Sequence, residues 1–211
     1  MISMTLREQI RNDLDTWEGY YAWLYLDSVG LVTIGYGSML PNADVAAGIA
    51  FVHTKGGAAT PAEIKAAYHT VQSGGAAQKA AAPKQKFGAK HYEKVTDLRI
   101  TQATASRLRD THVDADYQQL QNIYPLFDSF PDAAKIALFD MIYNLGPGHG
   151  KTRHHRATGL RAYAGMNAAI ARSDWATAAQ HCHRGGIPLK RNAATEALFK
   201  SCVVANARLP R

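Results

Sequence analysis

The sequence predicts an α+β fold that is mainly α-helical, and three features of the chain support this prediction. Apolar residues at helical spacing open the chain, at Leu6, Ile10, Leu14 and Trp17. Residues 22–37 then favour strands around a turn, and helical patterns return after about residue 98. The 211 residues are enough for one substantial core or for two modest lobes that share one.

The chain is basic, since 24 Lys and Arg residues against 17 Asp and Glu residues give a formal net charge of +7. Such a surface attracts polyanions, which include nucleic acid, anionic lipid and the acidic polymers of a bacterial wall. The sequence contains no zinc-finger spacing, no aromatic RNA-binding signature and no DNA-reading helix pair. We therefore expect no nucleic-acid partner, and a basic nucleic-acid-binding protein stays open only as an alternative.

The N-terminal residues and the overall hydropathy bear on where the protein is made. No apolar run approaches the ~18 residues that a membrane-spanning helix needs. Residues 1–15 carry charges throughout and lack the apolar stretch of a signal peptide. We expect a protein that is made in the cytoplasm without a signal peptide and does not insert into membranes.

A first helix is predicted from about Thr5 to Glu18, and a β-hairpin is predicted to follow it. The turn of the hairpin is the run Asp27-Ser28-Val29-Gly30. The strand-forming residues on either side of this turn are Leu24, Tyr25, Leu31, Val32, Thr33 and Ile34. An aromatic run could offer a sugar-stacking face, although half of such a run usually belongs to a core: Tyr20, Tyr21, Trp23 and Tyr25.

The middle of the chain has a looser pattern, from Gly56 to about Lys94. Within it, Gly74 to Gly88 is rich in Ala, Gly and Lys and contains Pro83. This composition predicts an exposed insertion or a mobile loop, with short helices beside it. Its lysines could contact an anionic substrate or could form only a solvated surface: Lys79, Lys84, Lys86 and Lys90.

Helical signals mark the C-terminal part. Thr101 could cap a helix to about Leu120, and Pro131 suits the first turn of a central helix. Gly146-Pro147 should end that central helix. Ser173 is predicted to cap a third helix, and a last helix should include residues 196–203.

The cysteines and histidines favour structural roles. Cys182 and Cys202 are too few for a disulfide scaffold. Helical spacing predicts that Cys182 is buried on the inner face of a helix with Trp175, Ala178 and Ala179.

The histidines considered for a metal site are His149, His154, His155, His181 and His183. They lack the helical i, i+4 spacing that zinc prefers, so we expect no metal and no other cofactor.

Two carboxyl groups in different environments are what hydrolysis of a glycosidic bond requires. One must protonate the leaving oxygen from a partly buried position, while the other stays ionised in a wetter place. Glu18 is predicted at the edge of a buried helix face and at the negative end of the helix dipole, which disfavours an anion. Asp27 is predicted in the solvated hairpin turn. In isolation, two such residues are more often ordinary surface carboxylates.

The spacing of the whole segment is more specific. Glu18-Gly19-x5-Tyr25-x-Asp27-x2-Gly30-x2-Thr33-x-Gly35-x-Gly37 resembles the active-site region of the phage-type lysozymes, glycoside hydrolase family 24. The resemblance implies that Glu18 is the general acid and that Asp27 and Thr33 position the attacking water. Three later segments also resemble that family: residues 100–103, 139–146 and 174–179.

The resemblance also implies supporting residues, namely Arg191, Asn144 and Tyr25, which would line the substrate cleft or support the acid. Arg191 resembles an arginine that lies against the acid in that family, and the alternative is an ordinary surface cation. The chain departs from the family in the insertion of about residues 40–97. It departs again at Ser38, where many relatives carry His, so the cleft near the hairpin would differ in shape.

The resemblance implies a single two-lobed, lysozyme-like catalytic domain, with a hairpin lobe (residues 1–98) and a helical lobe (residues 99–211) flanking a cleft. It implies an inverting muramidase that cleaves the β-1,4 bond between N-acetylmuramic acid and N-acetylglucosamine in bacterial peptidoglycan. We expect a monomer. A catalytically silent wall-binding module is the alternative within the same fold, and the presence of Glu18, Asp27 and Thr33 argues against it.

Delivery to the wall stays open between two routes. A phage endolysin would leave through a membrane pore, whereas a type VI secretion effector would be injected into the periplasm of a target bacterium. The long insertion favours the effector, whose partners would include the secretion apparatus and an immunity protein.

Overall fold

The structure, a computed structural model, describes residues 2–27, 30–80, 88–153 and 155–206, and for 75–80 and 204–206 it describes the backbone alone. Its α-helices are α1 (Met4–Glu18), α2 (Ala43–Ala47), α3 (Pro61–Ala80), α4 (Gln102–Ile123), α5 (Asp132–Leu145), α6 (Ala164–Ile170), α7 (Trp175–Gln180) and α8 (Leu189–Asn206). Its strands are β1 (Tyr21–Leu26), β2 (Val32–Gly35), β3 (Ser38–Met39), β4 (Val52–His53) and β5 (Leu98–Arg99). This mainly helical composition with a small antiparallel sheet confirms the predicted α+β class. None of the described helices is both long and apolar enough to cross a bilayer.

The chain divides into two compact units, each with its own cluster of buried apolar residues. The hairpin unit is Glu18–Thr111, and the helical unit is Met1–Trp17 together with His112–Arg211. The limit predicted from the sequence lay between residues 98 and 99.

The core of the helical unit is built around α5, whose sequence is apolar nearly all round. Leu138, Phe139 and Met141 are fully buried, and the apolar stripe of α1 is buried at Leu6, Ile10 and Leu14. Trp175 and Phe199 stack with their ring planes 9° apart and their centroids 6.3 Å apart. Side chains of this size supply most of the apolar area that stabilises a helical core.

The hairpin unit contains a three-stranded antiparallel sheet in the order β1-β2-β3, and a separate β4-β5 pair. In the first sheet Tyr25 is opposite Thr33 and Leu26 is opposite Val32, with an irregularity between Tyr21 and Tyr25. The predicted hairpin is thus confirmed, and β3 extends it. Apolar residues of β1, β2 and α3 form one buried cluster.

Part of the predicted exposed segment is helical, because α3 continues to Ala80. A reciprocal cap starts this helix: the Glu63 carboxylate accepts from the Thr60 amide (2.7 Å), and the Thr60 hydroxyl accepts from the Glu63 amide (3.3 Å). Ile64, Ala67 and Val71 recur at helical spacing and are buried. The prediction of a loop is therefore wrong for residues 74–80, while residues 81–87, and with them Lys84 and Lys86, lie outside the described residues.

The ends of the other helices mostly follow the sequence signals. Thr101 caps α4, since its hydroxyl accepts from the Thr104 amide (3.1 Å), and α5 ends before Gly146 as predicted. The prediction that Ser173 caps α7 is wrong. The carboxylate of Asp174 caps this helix by accepting from the Thr177 amide (3.0 Å). Asp174 is the cap because a carboxylate is the stronger acceptor. Ser173 has φ 55°, which lies outside the extended region of a cap residue. The predicted burial of Cys182 is confirmed, but its predicted place on a helix is wrong, because α7 ends two residues earlier, at Gln180.

We predict that α3 contributes to the stability of the protein. Ile64→Ala should lower the free energy of unfolding by about 2–5 kcal/mol, because it removes buried methyl groups and leaves a cavity. Gln72→Ala, an exposed position on the same helix, should change it by about 0.5 kcal/mol or less. Urea unfolding of both variants checks this, and equal effects would contradict a core role for the helix.

Candidate active site

Glu18 is the last residue of α1, and its side chain is half-buried. The next residue, Gly19, has φ +69°, a left-handed conformation that residues with a β-carbon rarely adopt. This conformation ends the helix, and β1 begins two residues later at Tyr21. The carboxyl group therefore lies at the junction between a helix end and the first strand of the sheet, and the half-buried position that the sequence predicted is confirmed.

Asp27 follows β1 and is held in the turn by its own backbone and side chain. Its Oδ1 accepts from the Leu31 amide (2.9 Å), its amide donates to the Leu31 carbonyl (2.9 Å), and its carbonyl accepts from Gly30 (3.1 Å). Ser28 and Val29 lie outside the described residues. These bonds orient a half-buried carboxylate that can accept further hydrogen bonds, because a carboxylate has about four lone-pair sites.

Thr33 lies on β2 directly opposite Tyr25, and it is only 2% exposed. Its hydroxyl donates to the Leu31 carbonyl (3.1 Å). A hydroxyl has a single proton, so toward any water in contact with it Thr33 acts as an acceptor. Asp27 and Thr33 thus offer acceptors from the two arms of one hairpin, and Leu31 holds both.

Tyr25 lies within electrostatic range of both carboxylates. It is 8% exposed, and burial raises the pKa of its hydroxyl. The charges of Glu18, Tyr21 and Asp27 raise that pKa further, in this order of effect. The phenol therefore keeps its proton at all ordinary pH values, and the structure brings Glu18 and Asp27 into the surroundings of one side chain.

The glycine of the motif at position 35 has a steric explanation. Its φ is +67°, and a β-carbon at this position would lie 3.1 Å from the β-carbon of Ala105. Contacts this short are tighter than ordinary van der Waals packing, so a substitution would strain the backbone of β2 and push β2 and the start of α4 apart by a few tenths of an ångström.

The aromatic residues near the hairpin are largely held by contacts within the unit. Tyr20 is 37% exposed, and its hydroxyl donates to the Ile100 carbonyl (2.9 Å). Trp23 donates from its indole nitrogen to the Ala89 carbonyl (2.8 Å). Tyr36 was not predicted as part of this aromatic group. Its ring packs 5.5 Å from that of Tyr20 and 4.9 Å from the guanidinium of Arg109. Tyr20 is thus the most exposed ring of the predicted stacking run.

Ser38, the position that departs from the family, begins β3 and is fully buried. Its hydroxyl has no hydrogen-bond partner among the described residues. The departure therefore lies within the sheet.

Arg191 lies in the helical unit and is 5% exposed, so the alternative of an ordinary surface cation is wrong. Its Nε donates to Oδ1 of Asp140 (2.7 Å), while Arg184 pairs with Oδ2 of the same carboxylate. The Thr195 hydroxyl also donates to Oδ2 (2.8 Å). The role of Arg191 beside the acid stays a prediction, as does that of Asn144, which is exposed on α5.

This buried cluster of Asp140, Arg184, Arg191 and Thr195 was not predicted from the sequence. The available signal was Asp140 itself, a carboxylate between the apolar residues Phe139 and Met141 of α5. Buried carboxylates are nearly always paired, so its position called for cationic partners elsewhere in the chain.

The described residues contain no group of three or more His, Cys, Asp or Glu side chains that could hold a metal ion. His183 pairs with Glu196 (2.7 Å), and His149 and His155 contact each other with ring centroids 6.2 Å apart. His154 lies outside the described residues.

Comparison with protein-family models gives no match for this chain, and comparison with curated protein sequences gives none either. The resemblance to phage-type lysozymes stays a prediction from the motif.

The pKa of Asp13 depends in part on the charges of the buried cluster. Burial and the charge of Asp140 raise the pKa of Asp13 to about 6, although the Trp17 hydrogen bond and the two arginines act in the opposite direction. Because this pKa lies above the unfolded value of 3.8, the folded state binds the proton more tightly, and stability falls as the pH rises between about 4 and about 6.

Asp13→Asn should therefore raise the free energy of unfolding by about 1 kcal/mol near neutral pH and change it little at about pH 4. The figure is reduced from the full shift because solvent partly screens the side chain. Glu8→Gln, an exposed neutralisation on the same helix, is the control for net charge. Urea unfolding at both pH values measures the effect, and an equal gain at the two values would contradict it.

Proposed function

We propose that this protein is an N-acetylmuramidase that hydrolyses the β-1,4 bond between N-acetylmuramic acid and N-acetylglucosamine in bacterial peptidoglycan. One observation carries the proposal. Glu18, half-buried at a helix end, and Asp27, anchored in the turn after β1, lie close enough to the buried phenol of Tyr25 for both charges to raise its pKa. Glycoside hydrolysis requires two carboxyl groups, and these two are held by different local structures, a helix end and a hairpin turn.

Glu18 is the general acid in this proposal. It protonates the glycosidic oxygen as the bond to the anomeric carbon breaks. Its position at the C-terminal end of α1 supports the role, because the carbonyl groups exposed there disfavour a negative charge. The neutral phenol of Tyr25 lies near it and can only donate or accept a hydrogen bond.

Asp27 and Thr33 hold the nucleophilic water. The hydroxyl proton of Thr33 is engaged by the Leu31 carbonyl, so a water donates one hydrogen to Thr33 and the other to the carboxylate of Asp27. Its lone pair then points away from both acceptors, toward the sugar. Asp27 takes the proton as the water attacks, and the product forms with inversion at the anomeric carbon.

The fold and the charge of the chain agree with this proposal. A mainly helical chain with a small antiparallel sheet and two compact units is compatible with a two-lobed, lysozyme-like fold. The net charge of +7 favours acidic wall polymers over neutral glycans.

Access to peptidoglycan requires a delivery step. We propose release through a phage-encoded pore or injection into the periplasm by a type VI secretion system, in which case an immunity protein is a further partner. The genes beside this one distinguish the two routes, since a holin accompanies the first and secretion and immunity genes the second.

Glu18→Gln should abolish the clearing of purified sacculi, with a rate loss of about 10²–10⁴-fold, because the amide keeps the shape of the side chain and lacks the proton. The matched control is Glu8→Gln, the same change at an exposed position of α1, which should leave the rate unchanged. Turbidity of a sacculus suspension measures the rate, and circular dichroism verifies folding. A Glu18→Gln variant that keeps more than about a tenth of the rate would show that another group is the acid.

A further inference from the structure

The helical unit contains an open pocket of about 930 Å³ that the proposed hydrolysis does not use. We call it the helical pocket; its apolar lining includes Leu126, Phe130, Ile170 and Trp175. The volume lies in the range of about 300–1,000 Å³ that is typical of sites for small organic ligands. Leu126 is 69% exposed, so part of the apolar lining is open to solvent.

Most polar groups in the lining are satisfied within the protein. The Tyr124 hydroxyl donates to Oδ1 of Asn167 (2.5 Å), and the Asn167 amide nitrogen donates to the Leu160 carbonyl (3.1 Å). A ligand therefore needs no hydrogen bond to either side chain, and these residues present a largely apolar surface.

Arg161 is the charged residue of the lining. Its backbone amide donates to the Pro147 carbonyl (3.3 Å), and within the described residues its guanidinium makes no hydrogen bond or ion pair. Burial raises the pKa of the Tyr124 hydroxyl, and the charge of Arg161 acts in the opposite direction, so the guanidinium is close enough to influence the lining. A half-buried guanidinium without an anion retains its full capacity for bidentate binding.

The chain around this arginine is basic. Residues 141–173 contain no Asp or Glu and carry five cationic residues: Lys151, Arg153, Arg156, Arg161 and Arg172. The carboxylates that flank the lining in sequence are engaged elsewhere: Asp128 accepts from the Tyr117 hydroxyl (2.7 Å), Asp132 pairs with Lys135 (3.2 Å), and Asp174 caps α7. Arg161 is the charge in the lining itself, and we therefore infer an anion site with apolar walls.

We propose that the helical pocket binds an amphiphilic anion, a molecule with an aliphatic or aromatic body and a single carboxylate group. The apolar body lies against Phe130, Ile170 and Trp175, and the carboxylate pairs with Arg161. A neutral apolar molecule would leave Arg161 without a counter-charge, and a polar anion such as free phosphate would leave the apolar walls exposed.

The test is a calorimetric titration of the whole protein with dodecanoate below its micellar concentration, compared with dodecanol and with a dodecyltrimethylammonium salt. We expect saturable binding of one dodecanoate per chain, weaker binding of the alcohol and none of the cation. Added salt should weaken dodecanoate binding because the ion pair is partly solvated.

Arg161→Gln should weaken dodecanoate binding by about tenfold, which corresponds to about 1.4 kcal/mol, and should leave dodecanol binding unchanged. Arg161→Lys keeps the charge but lacks the bidentate fork, so it should weaken dodecanoate binding less than Arg161→Gln does. The matched control is Arg172→Gln, which neutralises a 64% exposed arginine outside the lining and should have no effect.

Three results would overturn the proposal: no saturable binding of dodecanoate, equal affinity for dodecanoate and dodecanol, or an equal loss in Arg172→Gln. Binding to anionic vesicles without binding of free dodecanoate would also overturn it, because it would indicate a membrane surface as the partner. None of these measurements depends on glycan hydrolysis.

Discussion

The left-handed conformation of Gly19 is the constraint on which the candidate site depends. A helix that continued past Glu18 would place this carboxyl group inside the helix instead of at its end and would leave no room for β1. The stop at φ +69° instead places the carboxyl group at the negative end of a helix and at the start of a hairpin. Local hydrogen bonds within the hairpin then position the other two residues. The Leu31 amide donates to Asp27, and the Leu31 carbonyl accepts from Thr33. The candidate acid and the candidate water-binding pair thus follow from about 16 residues of local geometry.

The helical unit depends on a different interaction, the buried carboxylate of Asp140. Removing a carboxylate from water costs several kcal/mol unless strong hydrogen bonds replace the solvent, and two arginines and a threonine provide them. The cluster ties α5 to α8 and to the segment before α8. Its charges also reach Asp13: burial and then the charge of Asp140 raise the pKa of Asp13, while Arg191 and Arg184 act in the opposite direction. The position of Arg191 is therefore fixed by Asp140.

Local signals made α1, the hairpin, the start of α4 and the end of α5 predictable, because each depends on residues within about four positions of one another. The errors have physical causes of two kinds. Ala-rich composition around Gly74 suggested a loop, yet alanine is the strongest helix former, and the cap at Thr60 starts a helix that extends through it. The Asp140 cluster joins residues 44 and 51 positions apart, and no local pattern specifies such a pairing. The motif indicated where Thr33 lies, but only the sheet register and the bond to Leu31 show that its proton is already used.

The most direct test of the account is the configuration of the first product released from glycan strands. A water held between Asp27 and Thr33 attacks the face opposite the leaving group, so the new reducing end should be N-acetylmuramic acid in the α configuration. Proton NMR recorded during digestion, before mutarotation, detects this anomer directly. Initial release of the β anomer, or a covalent glycosyl adduct on Asp27, would contradict the assignment of Asp27 and Thr33 as the residues that hold the attacking water.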